Sequence, residues 1–473
     1  MTKARQAPRL RTIVLSAFAV LLVWLVVSQS FGAYIADLAP DAALWLHPQQ
    51  PSGLVTLADR ALNASERTAR AETSAEDQTS ARSERGSDSM SHASTSMTTL
   101  DRAFSAFETI GQNQSVNRPI ALDNARTVRM WVQTALLNDP LNARALRILG
   151  QLAEADDDDV SASNFMHAAA RLSLHESVAV YWLMQKSAQA KDDKSAIYYA
   201  DVLLRTKPDL GAYVVPVLAR LAEEKRSNGL LKTVLVGNPP WRKQFFEGLP
   251  NSMTDARTPL DLLSALRTST APPTTMEVGY YINSLITHKL YGLAYYTWLQ
   301  FLPPEELRNA GMLFNGSFEL TPSGLPFDWK ITPGAGVTID IVPRSDNNGK
   351  HGLLVSFQYG RVEYHSVTEL VMLAPGTYEF KGKYQGQLDG PRGLKWRIVC
   401  AGGAMTRVGE SPMIIGMTPA WRNVAFTFTV PATDCPAQYV RLDLDTRMAS
   451  EQLVTGSMLF DELRISRVQK PPA

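Results

Sequence analysis

Few residues of this chain have the type and spacing to do chemistry. The two cysteines, Cys400 and Cys435, stand 35 positions apart. That suits either a disulfide or two unrelated buried thiols, and the redox compartment decides between them. Neither belongs to a zinc-ligand spacing. The seven histidines are scattered, none at ligand spacing to another, and no Gly-x-Ser-x-Gly, His-Glu-x-x-His, phosphate-loop or dinucleotide fingerprint occurs. Acids are abundant enough to leave open a carboxylate pair across a cleft, the arrangement a glycosidase needs. The run Asp156 to Asp159 reads as a solvated turn between helices in preference to a cation site. The expectation is a protein that is not an enzyme.

These residues must be carried by more than one domain, because 473 residues exceed an ordinary single core. Basic and acidic residues balance at 47 and 46, a net charge of +1, so no field is available to draw in nucleic acid and none is expected as a partner. Lys3, Arg5, Arg9 and Arg11 precede a run, Ile13 to Val27, that is apolar apart from Ser16. With its tail the run is long enough for the roughly 30 Å hydrocarbon core. It predicts a transmembrane signal anchor over 12–34, with 1–11 as a basic cytoplasmic tail. The bulk of a single-pass inner-membrane protein would then lie in the periplasm. Ser28-Gln29-Ser30 offers the alternative of a cleaved signal peptide. Either reading exports the remainder, and export favours a disulfide, worth about 3–4 kcal/mol for a loop of this length on the chain-entropy model.

Residues 35–62 predict a short helical segment. Residues 63–96 are Ala, Ser, Thr, Glu and Arg with almost no large apolar residue, too little to offset ordering entropy, and predict a disordered linker. From 97 to 310 the apolar spacing is helical. Pro140, Leu174 and Pro208 are spaced by 34, as are Leu149 and Leu183, and Ala162 and Ala196. Small residues such as Gly150, Ala162 and Ala169 recur where paired helices must approach. Over about 143–210 the pattern resembles the tetratricopeptide repeat. Its signature is incomplete, with Leu146 at the usual Trp position and Ala153 at the usual Tyr. Pro48, Leu54, Leu57 and Ala58 repeat the spacing of Pro140, Leu146, Leu149 and Gly150, so the array is expected to begin before the linker. The resemblance implies a solenoid whose curved surface docks protein partners; a helical spacer without a ligand is the other reading. Tyr280, Tyr281, Tyr291, Tyr295, Tyr296 and Trp298 make the last helices aromatic, which points to packing, in part against the next domain.

From Leu313 the period changes to two. Val424, Phe426, Phe428 and Val430 alternate with polar or small residues, as do Val440, Leu442 and Leu444, and short strands over 311–468 predict a two-sheet jelly roll. Asn315-Gly316-Ser317-Phe318-Glu319, the turn to Trp329, Leu373-Ala374-Pro375-Gly376-Thr377-Tyr378, Trp421 before Phe426, and the closing Leu459-Phe460-Asp461-Glu462-Leu463 resemble the carbohydrate-binding-module jelly rolls found beside glycoside hydrolases. The resemblance covers about 312–467. It implies a structural Ca2+ ion held by Glu319 and Asp461, whose oxygens suit a hard cation, with two hydrogen-bonded acids as the alternative. It also implies a sugar face of exposed rings with polar neighbours. Tyr359, Tyr364, Tyr384 and Trp396 are the candidates, with Arg397 beside them. Tyr359 and Tyr364 flank Gly360-Arg361 and are the stronger pair. Trp396 shares strand parity with Leu394 and Ile398, and Tyr384 with Tyr378 and Phe380, which points inward; Trp329 and Trp421 are expected in the core.

The fold expected is therefore multidomain: an N-terminal transmembrane helix, an α-helical tetratricopeptide-like solenoid and a C-terminal all-β jelly-roll sandwich. The function expected is an envelope scaffold in exopolysaccharide assembly or export, docking assembly proteins and binding polysaccharide. The alternative is a purely structural protein–protein interaction protein without a glycan ligand.

Overall fold

The 34-residue spacing of the sequence becomes a spacing of helix starts. In the computed structural model, which describes residues 15–21, 23–24, 34–36, 38–64, 122–308, 310–344, 350–402 and 405–468, the helices are α1 (Pro40–Leu46), α2 (51–64), α3 (Leu122–Asn138), α4 (Ala143–Ala155), α5 (Asp159–Leu172), α6 (Ser177–Gln189), α7 (Asp193–Thr206) and α8 (Gly211–Glu223). α4 and α6 start 34 residues apart, as do α5 and α7, and α6 and α8. The turns repeat too. Asp157 and Lys191 both have positive φ, 59° and 60°. Asp158 and Asp192 then cap α5 and α7, accepting from the backbone N–H of Ser161 and Ser195 at 3.0 and 3.3 Å. A side-chain acceptor at this position satisfies one of the orphan donors of the first helical turn.

The acidic run is thus an interhelical turn with work for each end. Asp156 pairs with Arg129 and Asp159 with Lys186, while Asp158 is the cap. Gly150 admits close packing of α4 on α5, since a Cβ there would lie 3.0 Å from the Met166 side chain. Ala162, Ala169 and Ala196 are wholly buried. Leu54, Val55, Ala58 and Leu62 of α2 share one core with Val128, Val132, Ala145, Ile148 and Leu152. The segment before the expected linker therefore packs with α3 and α4. Asp59 of α2 meets Arg147 at 2.7 Å and Arg144 as well.

Residues 65–121 lie outside the described residues, and with them most of the 63–96 segment. Residues 1–14, 22 and 25–33 do too, so the basic tail and much of the 12–34 anchor are not described. Among the described residues no helix is long and apolar enough to cross a membrane.

The chain divides into two compact units, Met1–Val234 with Pro239–Trp241, and Leu235–Asn238 with Arg242–Ala473. The second unit therefore takes in helices as well as strands: α9 (Lys225–Val236) ends in it, and α10 (Arg242–Gly248), α11 (Thr258–Leu266), α12 (Thr275–Thr287), α13 (Tyr291–Phe301) and α14 (Pro304–Arg308) belong to it. The aromatic helix α13 meets the sandwich. Trp298 packs on Phe314 with ring centres 5.0 Å apart, and Tyr295 on Phe327 at 5.2 Å.

The strands are β1 (Val337–Pro343), β2 (His351–Phe357), β3 (Val367–Val371), β4 (Gly376–Asp389), β5 (Leu394–Cys400), β6 (Arg407–Glu410), β7 (Gly416–Val430), β8 (Gln438–Leu444) and β9 (Thr455–Arg467). They form a five-stranded sheet, β1-β2-β9-β4-β7, and a four-stranded sheet, β3-β8-β5-β6. The pairings are antiparallel. Leu353, Val355, Phe380, Phe460, Trp396, Val440 and Leu442 from the two sheets share one core with Phe318 and Trp329. The Asn315-to-Glu319 motif is a turn locked by its own side chain: Asn315 Nδ2 donates to Leu320 O at 2.7 Å, and Leu320 N returns a bond to Oδ1 at 3.0 Å. Trp329 Nε1 donates to Asn315 O, and Leu463 N to Gly316 O, so the opening motif is tied to the last strand.

Trp421 corrects an expectation. It is half-buried on β7, with parity opposite to the buried Val424 and Phe428, and the Arg344 guanidinium lies 4.4 Å from its ring centre. Strand alternation puts it outside the core.

Candidate functional site

Alternation on β5 and β8 decides which side chains of the four-stranded sheet reach solvent. Trp396 and Ile398 face Leu442 and Val440 in the core, so Arg397, Arg441 and Asp443 take the outer face. Arg397 stands directly opposite Arg441, a like-charge pairing that costs stability unless an anion intervenes. Asp443 supplies the anion: its Oδ2 accepts from Arg397 Nη1 at 3.3 Å and its Oδ1 from Arg441 Nε at 3.1 Å. Ser366 Oγ donates to the same Oδ1 at 2.5 Å and accepts from Arg441 Nη2 at 3.1 Å.

These groups line a cleft of about 190 Å³ together with Val362, Tyr364, Thr446 and Gln452. Tyr364 is half-buried, its ring against Phe357 and its hydroxyl donating to Leu442 O at 3.0 Å. Burial pushes that hydroxyl well above its ordinary range, and the neighbouring Asp443 charge adds to the rise. Arg397 also pairs with Asp445 and Glu410, and Lys395 reaches Asp445 at 3.3 Å. Burial raises the Asp445 pKa, but the hydrogen bonds from Arg397 and Lys395 outweigh it and hold the carboxyl below its ordinary value. The outer face is a lattice of fixed donors and acceptors. Such charge-assisted, forked groups suit vicinal hydroxyls, which both donate and accept.

The structure brings Tyr364 and Arg397 together and separates the other candidates from them. Tyr359 is fully exposed, at the bend before Arg361, whose Nε donates to the cleft residue Gln452 at 2.8 Å. Tyr384 lies on the five-stranded sheet, opposite Arg422 and Phe460, and packs against the core. Trp396 is a correction: it is wholly buried, 5.8 Å from Trp329 and 5.4 Å from Phe380 between ring centres. No sugar can lie against it, and its inward parity prevails. Ser366, Arg441, Asp443, Thr446 and Gln452 are cleft residues that the sequence reading did not single out. For Arg441 and Asp443 the signal was present, because the apolar alternation of Val440, Leu442 and Leu444 assigns the residues between them to the opposite face.

Glu319 and Asp461 do not fit a shared Ca2+ ion. Asp461 is buried on the Arg344 guanidinium and accepts from Glu462 N, while Glu319 accepts from His351 N at 3.2 Å and lies 3.1 Å from His351 Nδ1. Cationic and N–H groups stand where a calcium ion would need open oxygens. Among the described residues no group of three or more His, Cys, Asp or Glu side chains is placed to hold a metal. Cys400 and Cys435 form a disulfide, with Cα atoms 4.9 Å apart.

No family model and no curated protein matches this sequence. Among solved structures it is similar to a CBM4 structure, at 17% identity with a TM-score of 0.26 over 33% of this chain and 99% of that one. It is also similar to a Family 16 Carbohydrate Binding Module-2, at 18% identity with a TM-score of 0.24 over 33% of this chain and 100% of that one. A third is the CBM22-1 xylan-binding domain from Paenibacillus barcinonensis Xyn10C, at 16% identity with a TM-score of 0.22 over 30% of this chain and 86% of that one. The sandwich assignment here rests on the strand order and registers.

Proposed function

We propose that this chain is a glycan-binding envelope scaffold, with polysaccharide held at the outer face of the four-stranded sheet and protein partners docked on the helical repeats of the first unit. The observation that carries the reading is the Arg397–Asp443–Arg441 arrangement beside Tyr364 and Ser366. The repeated capped hairpins, tetratricopeptide-like in period, support partner docking. The basic-flanked apolar run at the N-terminus supports membrane anchoring and export. The Cys400–Cys435 disulfide suits an oxidising compartment such as the periplasm. A role in exopolysaccharide assembly or export joins these features on one chain.

The test is a panel of polysaccharides presented to the purified protein. At least one is expected to bind, and Asp443→Ala or Arg397→Ala is expected to weaken it by about tenfold or more, the scale of a lost charge-assisted hydrogen bond. A folded protein that binds none of the panel refutes the glycan half. A second reading, protein–protein docking alone, is favoured by the apolar side chains that α3, α5 and the turn after α3 expose: Leu137 is 84%, Leu141 73% and Val160 72% accessible. Crosslinking that recovers envelope proteins alongside an empty glycan panel would select it.

A further inference from the structure

A second cavity, of about 330 Å³, lies within the second unit between α13 and the β3 edge. Its walls are aromatic: Tyr295 and Trp298 from the helix, Phe314 and Phe327 from the turns that open the sandwich. Trp298 is stacked on Tyr295 and tilted against Phe327, at 5.7 Å in each case. Glu369 of β3 stands in this lining and is 2% exposed. One of its oxygens accepts from Phe314 N at 2.7 Å; the other, Oε2, has no partner, and neither does the indole N–H of Trp298.

An orphaned buried acceptor and an orphaned buried donor in one lining call for an explanation, since buried polar groups are as a rule hydrogen-bonded. Aromatic rings around a carboxyl group favour an organic cation, which gains from the ring faces and from the carboxylate together. The Trp298 N–H requires an acceptor that a bare ammonium lacks. A hydroxyl beside the ammonium supplies it, and the volume is at the small end of ligand pockets.

We propose that this pocket binds a small amino alcohol cation of the ethanolamine class, its ammonium donating to Glu369 Oε2 and its hydroxyl oxygen accepting from Trp298 Nε1–H. The site is independent of the polar cleft and of glycan binding. Besides Glu369, the ionisable groups that bear on it are Asp328, in the turn before Trp329, and Tyr295 of α13. Burial, reinforced by the Asp328 charge, raises the Glu369 pKa far above its ordinary value. Binding a cation there requires the carboxylate, so affinity should tighten as pH rises toward neutrality and beyond.

The experiment is calorimetric titration of the purified protein with ethanolamine, ethylamine and ethylene glycol between pH 6 and 8. Ethanolamine should bind best, with affinity rising with pH. Glu369→Gln should weaken it about tenfold to a hundredfold, the scale of a hydrogen bond to a charged partner. Trp298→Phe keeps the wall and should abolish the advantage of ethanolamine over ethylamine, with unchanged circular dichroism as the control for folding. Absence of ethanolamine binding to folded protein, equal binding of ethylene glycol, or an unaltered preference in Trp298→Phe would each overturn the proposal.

Discussion

Arg242 and Glu277 form a two-pronged ion pair inside the second unit, Nε to Oε1 and Nη2 to Oε2 both at 2.8 Å, with each side chain under 5% exposed. The pair joins α10 to α12. Arg242 also donates to the carbonyls of Ala271 and Pro272, and Glu277 closes the capping box with Thr274 at the start of α12. A buried pair is tolerable only when its remaining hydrogen-bonding groups are met in this way.

Arg242→Ala leaves Glu277 buried without its cation and is expected to cost about 3–5 kcal/mol in denaturant unfolding. Burial raises the Glu277 pKa, but the bonds from Arg242 and Thr274 outweigh it and hold it below 4.5. The stabilisation is therefore present above the unfolded-state pKa and lost as pH falls through the folded-state value. Acid melts of the wild type should show that loss, and Arg242→Ala should lack it.

Gly316 should not accept a side chain. A Cβ there would collide with the carbonyl of Leu463, the same residue whose N–H donates to Gly316 O. Gly316→Ala is expected to destabilise by at least about 1–3 kcal/mol, the usual cost of overpacking, and differential scanning calorimetry reads it directly. An unchanged melting temperature would mean that the first turn and the last strand are not in contact.

Glu369 gives the opposite pH dependence from Glu277. Its folded-state pKa is raised, so its contribution is fully present below the unfolded-state pKa and lost as pH rises through the folded value. Glu369→Gln should flatten the fall in melting temperature between pH 5 and 8 and raise it at neutral pH when no ligand is added. A parallel pH profile in the variant would contradict the burial of this carboxyl.

Reduction of the Cys400–Cys435 disulfide should lower stability by about 3–4 kcal/mol on the loop-entropy model. Paired denaturation curves with and without reductant, together with the Cys400→Ser/Cys435→Ser variant, measure it. Loss of less than 1 kcal/mol would show that the reduced chain is already constrained there.

Sequence by itself determined the periodic parts. Pro140, Leu174 and Pro208 marked a 34-residue helical spacing that reappears as the spacing of helix starts, while the caps Asp158 and Asp192 came to light only in the folded turns. The period-two stretches marked β7 and β8, and with β8 the outward place of Arg441 and Asp443 between the buried Val440 and Leu442. Tertiary structure alone decided what depends on registers between distant strands. Asp443 between two arginines, Arg344 on Asp461, and Glu369 in one cavity lining with Trp298 join positions 46, 117 and 71 residues apart. No local pattern encodes such meetings, because they follow from which strand pairs with which and from where a helix crosses a sheet edge. Trp421 divides the two: its parity, opposite to Val424 and Phe428, already put it on the outer face, whereas the Arg344 guanidinium over its ring comes from a distant segment that only the fold brings there.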